Sequence, residues 1–396
     1  MAQCRRWRKL NGNITKRGKD SWRIRVFTGY NEQGKQQFIS RTVRGLKRDA
    51  QEAARKIIEE LRKGTYRKNN KLTLAQYMQE YLDTTGSLTL SPRTLHRYAE
   101  IVQKHLIPNL GDVELQKLTA DEIRAYYAEA IRSGRRDGKG GLSKRTVLQH
   151  HHVLHKILEQ ALEDDVIASS PATKRLAPKL EADCKMHVIT PEQAEELLAT
   201  ASTCKYLDCI KFALQTGMRR GEIVGTKWAD LDLQGQRLSI SRSITEVKGE
   251  IFEKTTKTKS GRRSIDLMDT TISLLNGIRA EQDKNRLFLG DAYNNNDYVF
   301  SEANGDCLHP ESVTKSFMHY ADKANLDLTF HDLRHCHASW LLAAGVHPKI
   351  VSERLGHSSV QITLDLYSHL LPTIQAAGIA KLQDMLGDYK SFANVA

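Results

Sequence analysis

The chain has 396 residues, 40% of them apolar, enough for two to four packed domains and too many for wholesale disorder. No apolar run approaches the roughly 20 residues that a membrane span requires, and the basic start Met1–Arg8 leads into no apolar stretch, so neither a span nor a secretory signal is expected. The formal net charge is +13, and residues 1–70 carry 20 Lys+Arg against 6 Asp+Glu, so the excess sits at the front and the remainder is near neutral.

That front block also carries Trp7, Trp22, Phe27 and Phe38, which a purely solubilising tail would not. Residues 22–27 (WRIRVF) and 37–43 (QFISRTV) alternate as half-exposed strands, with Gly29 and Gly34 marking a turn between them. From Lys47 to Leu61, Ala50, Ala54, Ile57, Ile58 and Leu61 recur at helical spacing. Three short strands and one helix predict a small polyanion-binding module, with Arg23 and Arg25 as candidate DNA contacts. Residues 64–71 read as a linker.

Beyond residue 72 the pattern is helical. Ser91-Pro92 opens a helix that is expected to end near Pro108, and Thr119–Glu122 fits a capping box. Another helix opens at Ser143 on the stripe Val147, Leu154, Ile157, Leu158 and Ala161, with Lys144 and Arg145 at its start as candidate DNA contacts. On it, His150, His151, His152 and His155 invite a metal reading. No Asp, Glu or Cys stands at suitable spacing, so a DNA-facing or solvated helix edge is expected instead. Residues 168–180 read as an interdomain linker.

Thr190-Pro-Glu-Gln193 starts the last unit with another capping box. Helices are expected to about 228, strands around 237–244, 250–256 and 262–267, and helices again at 269–282, 310–324 and 331–344. The six cysteines (4, 184, 204, 209, 307 and 336) show no paired spacing, so free thiols in a reducing cytoplasm are expected.

Four motifs in this last unit belong together: Thr216-Gly-Met-Arg219-Arg-Gly-Glu222, the basic turn Lys257–Arg263, His331-Asp-Leu-Arg334, and Leu355-Gly-His357 with Tyr367 ten residues on. They suit phosphoryl transfer without a metal. The charge gathering on the non-bridging oxygens calls for planar bidentate donors, which Arg219 and Arg334 offer. A lysine on the basic turn can protonate the leaving oxygen, and histidines can hold or pass protons. A tyrosine nucleophile stores the bond energy in a phosphodiester, so that resealing needs no ATP. Glu222 is expected to be buried as a partner of the arginine, Cys336 to be core, and His335 and His337 to pack or face elsewhere.

In this order and spacing the motifs resemble the tyrosine recombinase family, specifically the phage and conjugative-transposon integrases. The resemblance implies a multidomain α+β chain. Residues 1–66 correspond to a small β-sheet-plus-helix arm-binding domain, 72–168 to an all-α, SAM-like four-helix core-binding domain, and 185–396 to a mixed α/β catalytic domain. It implies phosphate-clamping roles for Arg219 and Arg334, histidine roles for His331 and His357, and Tyr367 as the nucleophile forming a 3′-phosphotyrosine. Lys257 is the choice for general acid, with Lys259 as the alternative; Lys259 and Arg262 are also expected to line the DNA. The implied partners are double-stranded DNA at core and arm sites and a homo-tetramer on that DNA, with an excisionase or host DNA-bending protein as accessory. No cofactor or metal is implied. The amphipathic tail (Ile374, Ala377, Ile379, Leu382, Leu386) is expected to pack on a neighbouring subunit, or alternatively within its own. A type IB topoisomerase and a non-catalytic DNA-binding regulator on the same fold are the competing readings. The front module argues against the first and the intact residue set against the second.

Overall fold

The computed structural model describes residues 12–30, 34–62, 71–180, 187–255 and 262–357, then 359–361, 363–364, 379–380 and 382–385. The chain divides into two compact units, Met1–Glu181 and Ala182–Ala396.

The first unit begins with an antiparallel sheet of β1 (Gly12–Gly18), β2 (Ser21–Tyr30) and β3 (Gln36–Arg44), in that order. Helix α1 (Lys47–Arg62) covers one face. Alternation in β2 sends Ile24 and Val26 against Ala50, Ala54 and Ile57 of α1. Arg23 and Arg25 consequently stand on the opposite face, where they pair in register with Thr42 and Ser40 of β3.

Four helical rods follow. The first is α2 (Leu74–Tyr81), capped by a Thr73–Gln76 box and continued by a widened π segment (Leu82–Gly86) and a last α turn (Ser87–Thr89). The second, α3 (Pro92–Ile101), does not stop at Pro108 but runs on through Val102–Leu106 to Leu110. A proline inside a helix lacks an N–H and crowds the carbonyl four residues back. Here the rod widens just before it, with the Ile107 N–H donating to the Val102 carbonyl, five residues back. Helices α4 (Ala120–Ser133) and α5 (Lys144–Glu163) complete the bundle, whose core includes Met78, Leu106, Ile123, Leu154, Ile157 and Leu158.

The histidine-rich stretch of α5 corrects the expectation of a solvated edge. His150 and His151 are each 1% exposed, while His152 is exposed. The adjacent tyrosines of α4 meet them, Tyr126 Oη lying 2.8 Å from His150 Nδ1 and Tyr127 Oη 2.9 Å from His151 Nδ1. The His105 ring lies against that of His150, tilted by 35° with centroids 4.6 Å apart. Paired Tyr–Tyr facing paired His–His lets two consecutive residues be buried, although they lie about 100° apart around the helix.

The second unit opens with α6 (Pro191–Thr200), α7 (Leu207–Thr216) and the short α8 (Arg220–Val224). The expected strand over 237–244 is two strands. The chain changes sheets at Ser241, so that β5 (Arg237–Ile240) lies between β4 (Leu231–Asp232) and β8 (Arg263–Asp266), while β6 (Arg242–Val247) pairs with β7 (Glu250–Thr255). Helix α9 (Asp269–Leu289) outruns its expected end at 282, and Gln282, 8% exposed, is satisfied within the fold. Its Oε1 accepts from Trp228 Nε1, and its Nε2 donates to the Tyr298 and Val299 carbonyls. Helices α10 (Pro310–Lys323), α11 (Asp332–Ala343) and α12 (Pro348–Leu355) close the unit around a core that includes Phe212, Ile223, Ile265, Phe317 and Leu333. Cys336 belongs to that core. No helix among the described residues is long and apolar enough to cross a membrane.

The buried imidazoles make the bundle acid-sensitive. Burial depresses His150 and His151 from 6.5 to about 4 in the fold. Between those values the unfolded chain takes up protons that the folded chain refuses, so stability present at pH 7 is lost as pH falls through the window. We expect urea unfolding followed by circular dichroism to show a loss of a few kcal/mol between pH 7 and 4.5. The combined variant His150→Leu, His151→Leu should reduce that dependence by the share the bundle contributes, the depressed His331, His337 and His357 of the second unit supplying the rest; an unchanged pH response would refute the assignment.

Candidate active site

The first motif folds around one left-handed residue. Gly217 ends α7 at φ +65°, and a Cβ there would lie 2.6 Å from both His337 Cδ2 and Leu355 Cδ2. Its small size lets α7, α11 and the end of α12 meet. The turn it makes delivers Arg219 in extended conformation (φ −70°, ψ 146°) as the residue before α8.

Arg334, on α11, is 2% exposed. It donates to the carbonyls of Gly217 (2.8 Å) and Leu355 (2.5 Å). Arg219 donates to the next carbonyl, Gly356, at 2.8 Å, and Arg263 of β8 donates through Nε to the preceding one, Arg354, at 2.7 Å. Three successive carbonyls at the C-terminus of α12 thus each hold one guanidinium, where the helix dipole favours positive charge. Burial, with Arg219 nearby, brings the Arg334 guanidinium down to about 9, so it remains a cation at neutral pH.

Glu222 is the buried anion of this group, 3% exposed. Its Oε1 accepts from Arg219 (2.8 Å) and Arg263 (3.1 Å), and its Oε2 from the Arg219 backbone N–H (3.0 Å) and Arg263 (2.8 Å). Burial alone would push this carboxyl up; the bonds from Arg263 and Arg219 more than offset it and hold it below the usual range. One carboxylate therefore faces Arg219, Arg263 and Arg334, and the pocket keeps an excess of positive charge. Among the described residues Arg334 hydrogen-bonds only neutral carbonyls, so no anion among them satisfies it directly.

The histidines answer to that charge. Desolvation, with Arg334 and Arg219, drives His357 down to about 3, and its Nδ1 lies 2.9 Å from the Thr363 hydroxyl. His331 precedes α11 and is an exposed residue; desolvation by the protein around it, then His335 and Arg334, still depress it to about 4. His335 takes the packing alternative of the two expected: one turn further along α11, its ring meets His331 edge to face at 4.9 Å. His337 packs, as expected. Its Nδ1 is 2.8 Å from the Leu214 carbonyl and so donates to it, leaving Nε2 to accept from Arg354 Nε at 3.2 Å.

The structure thus brings Arg219, His331, Arg334 and His357 into one site, with Glu222, Arg263 and Arg354 behind them. Lys257, Lys259 and Tyr367 lie outside the described residues. Arg262 is exposed at the start of β8, and Arg145 is exposed at the start of α5 beside Lys144, in the other unit. Arg23 donates to Ser40 Oγ at 3.0 Å, and the Arg25 guanidinium sits 4.3 Å over the Phe38 ring. Sequence reasoning missed the role of Arg263. Alternation in β8 puts it on the face of the buried Ile265, and an inward strand arginine needs a buried anion. Among the described residues no group of three His, Cys, Asp or Glu is arranged to hold a metal ion.

Gly217→Ala should destabilise the second unit by about 2–4 kcal/mol, combining left-handed strain with overpacking. Denaturant unfolding followed by tryptophan fluorescence measures it, and a cost below about 1 kcal/mol would mean that the α7–α11–α12 junction gives way easily.

The profile described as "Phage integrase family" matches residues 187–373, and that for "Phage integrase, N-terminal SAM-like domain" matches 73–130; together they take in more than half the chain. The chain is 25% identical to a "Tyrosine recombinase XerC-like" protein of Caldanaerobacter subterraneus subsp. tengcongensis, over 94% of this chain and 98% of the relative. It is 24% identical to the ICEBs1 integrase of Bacillus subtilis, over 94% and 100%. Among solved structures, the Tn1549 transposon integrase in complex with a circular intermediate DNA superposes with a TM-score of 0.62 at 22% identity, covering 74% of this chain and 94% of that one. A lambda integrase tetramer bound to a Holliday junction gives 0.54 at 20% identity, over 91% and 95%. Fold, site and profiles agree: the chain belongs to the phage integrase family and is a tyrosine recombinase of the integrase type.

Proposed function

We propose that the chain cuts and rejoins DNA at specific sites to move a mobile element. Tyr367 attacks the scissile phosphate, forms a 3′-phosphotyrosine and frees a 5′ hydroxyl, which attacks the 3′-phosphotyrosine on the partner duplex and releases its tyrosine. Two such exchanges pass through a Holliday junction. The observation that carries this reading is the cationic pocket of buried Arg334 and half-exposed Arg219, backed by one buried carboxylate. A desolvated guanidinium with only carbonyl partners is costly in a resting protein and matches a phosphodiester anion. An arriving phosphate also raises the proton affinity of His331 and His357, which desolvation depresses first and the two arginines depress further, by offsetting the arginines' part. That change turns neutral imidazoles into donors as the transition-state charge develops. Lys257, or Lys259 in its place, protonates the leaving oxygen.

The remaining surfaces divide the work of DNA recognition. Residues 1–66 form the arm-site module, reading DNA with the sheet face that carries Arg23 and Arg25. Residues 72–168 form the core-binding domain, with Lys144 and Arg145 on the duplex, and 185–396 form the catalytic domain, with Lys259 and Arg262 along the cut. A tetramer on DNA is the working assembly, with an excisionase or host DNA-bending protein as its accessory, acting in the bacterial cytoplasm and using no cofactor.

A nicked suicide duplex from the ends of the element tests the reading. Wild-type protein is expected to trap a covalent adduct, and Tyr367→Phe none. The reading fails if the wild type traps nothing or Tyr367→Phe still does. Strand exchange between two duplexes, rather than supercoil relaxation alone, separates an integrase from a topoisomerase. Arg23→Ala with Arg25→Ala should weaken arm-site binding at least about tenfold while leaving core-site adduct formation intact.

A further inference from the structure

Arg263 has no place in the set that meets the phosphate, yet it is the best-anchored cation of the site. Its side chain is 7% exposed. It spends two donors on the Glu222 carboxylate and a third on the Arg354 carbonyl. Arg354 reaches back to the same strand, donating through Nη1 to the Asp266 carbonyl at 2.9 Å. Strand β8 and the end of α12 are thereby cross-tied at two points. Between them these ties fix Arg354, Leu355 and Gly356. Their carbonyls hold Arg263, Arg334 and Arg219, and the next residue is His357.

From this geometry we infer that Arg263 is a positioning residue for strand cleavage. It sets the direction of Arg219 through their shared carboxylate and the register of the Arg354–His357 segment through the Arg354 carbonyl. Without it, Glu222 keeps Arg219 as its one remaining arginine and draws that guanidinium towards itself and away from a phosphate. The carbonyl row then loses its first anchor, and His357 and the chain leading to Tyr367 lose their fixed start. Arg263 turns Nε, Nη1 and Nη2 all to partners inside the protein and its side chain is 7% exposed, so it presents almost no surface to DNA. The expected defect is therefore in the chemical step and not in DNA affinity.

This inference rests on the proposed covalent mechanism, and single-turnover trapping on the nicked duplex at saturating protein tests both. Full-length wild type, Arg263→Lys and Arg263→Gln are compared for three quantities: the rate constant of adduct formation, its final amplitude, and the Kd for the duplex. A positioning role predicts that Arg263→Gln reacts about 10- to 100-fold more slowly, with amplitude and Kd within about twofold of wild type. Arg263→Lys, which keeps a cation against Glu222 but cannot also span to the Arg354 carbonyl, should recover part of the rate. A merely structural role predicts the opposite split, a lower amplitude with each folded molecule reacting at the wild-type rate, and that result overturns the inference. A Kd weakened about tenfold with an unchanged saturated rate also overturns it, because Arg263 would then be a DNA contact. If Arg263→Gln does not fold, the rate of Arg263→Lys decides alone: a rate within about twofold of wild type overturns the inference. Absence of any adduct with wild-type protein is a failure of the covalent reading itself and is seen before any Arg263 variant is read.

Discussion

Three guanidinium groups gathered within one small site must repel one another, and the end of α12 is what allows them to coexist. A helix leaves its last carbonyls without intrahelical partners and carries partial negative charge there. Arg263, Arg334 and Arg219 take the carbonyls of Arg354, Leu355 and Gly356 in turn, and one buried carboxylate, Glu222, joins two of the three. Replacing Glu222 by an apolar residue would leave paired cations buried without compensation, a cost of about 3–5 kcal/mol in comparable sites. Adding a second carboxylate would neutralise the pocket and remove its attraction for an anion. One carboxylate is a compromise between folding and chemistry: it lowers the repulsion enough for the arginines to stay, and not so far that they are satisfied.

The same excess charge governs the proton-handling groups. His331 and His357 feel both desolvation and the two arginines, and each is neutral in the free protein at any ordinary pH. Neutral imidazoles are the cheaper neighbours for a cation cluster, so the resting site is stable without its substrate. The arrangement couples protonation to occupancy in part, because the arginine charge that adds to desolvation in suppressing proton uptake is the charge that a phosphate offsets. His337 shows what a histidine in the same region does when it serves only structure. Its two nitrogens are committed to the Leu214 carbonyl and to Arg354, and it has none left for chemistry.

Much of this was legible in the sequence because it is local. Capping boxes at Thr119 and Thr190, the alternation of residues 22–27 and the four short motifs each announce themselves within a few residues. What stayed hidden depends on partners distant in the chain. The burial of His150 and His151 needs Tyr126 and Tyr127 on another helix, 24 residues away, and the exit of the chain at Ser241 needs two different sheets to receive β5 and β6. Arg263 lies between these cases. Its inward position follows from the register of a strand, but the anion that makes the position tolerable is 41 residues upstream.

The buried histidines of α5 and those of the catalytic unit solve related electrostatic problems with different materials. Both groups are held neutral by burial, His150 and His151 at about 4 and His357 at about 3. In the bundle the neighbours are phenol hydroxyls and another imidazole, which offer hydrogen bonds and no net charge, so neutrality is permanent while the fold lasts. In the catalytic unit the neighbours are guanidiniums that an anion can neutralise, so neutrality is conditional. Histidine content is therefore uninformative on its own. The sign and replaceability of the charge around each ring decide whether it can take part in proton transfer, and that property belongs to the packing of whole helices and not to any motif in which the histidine is found.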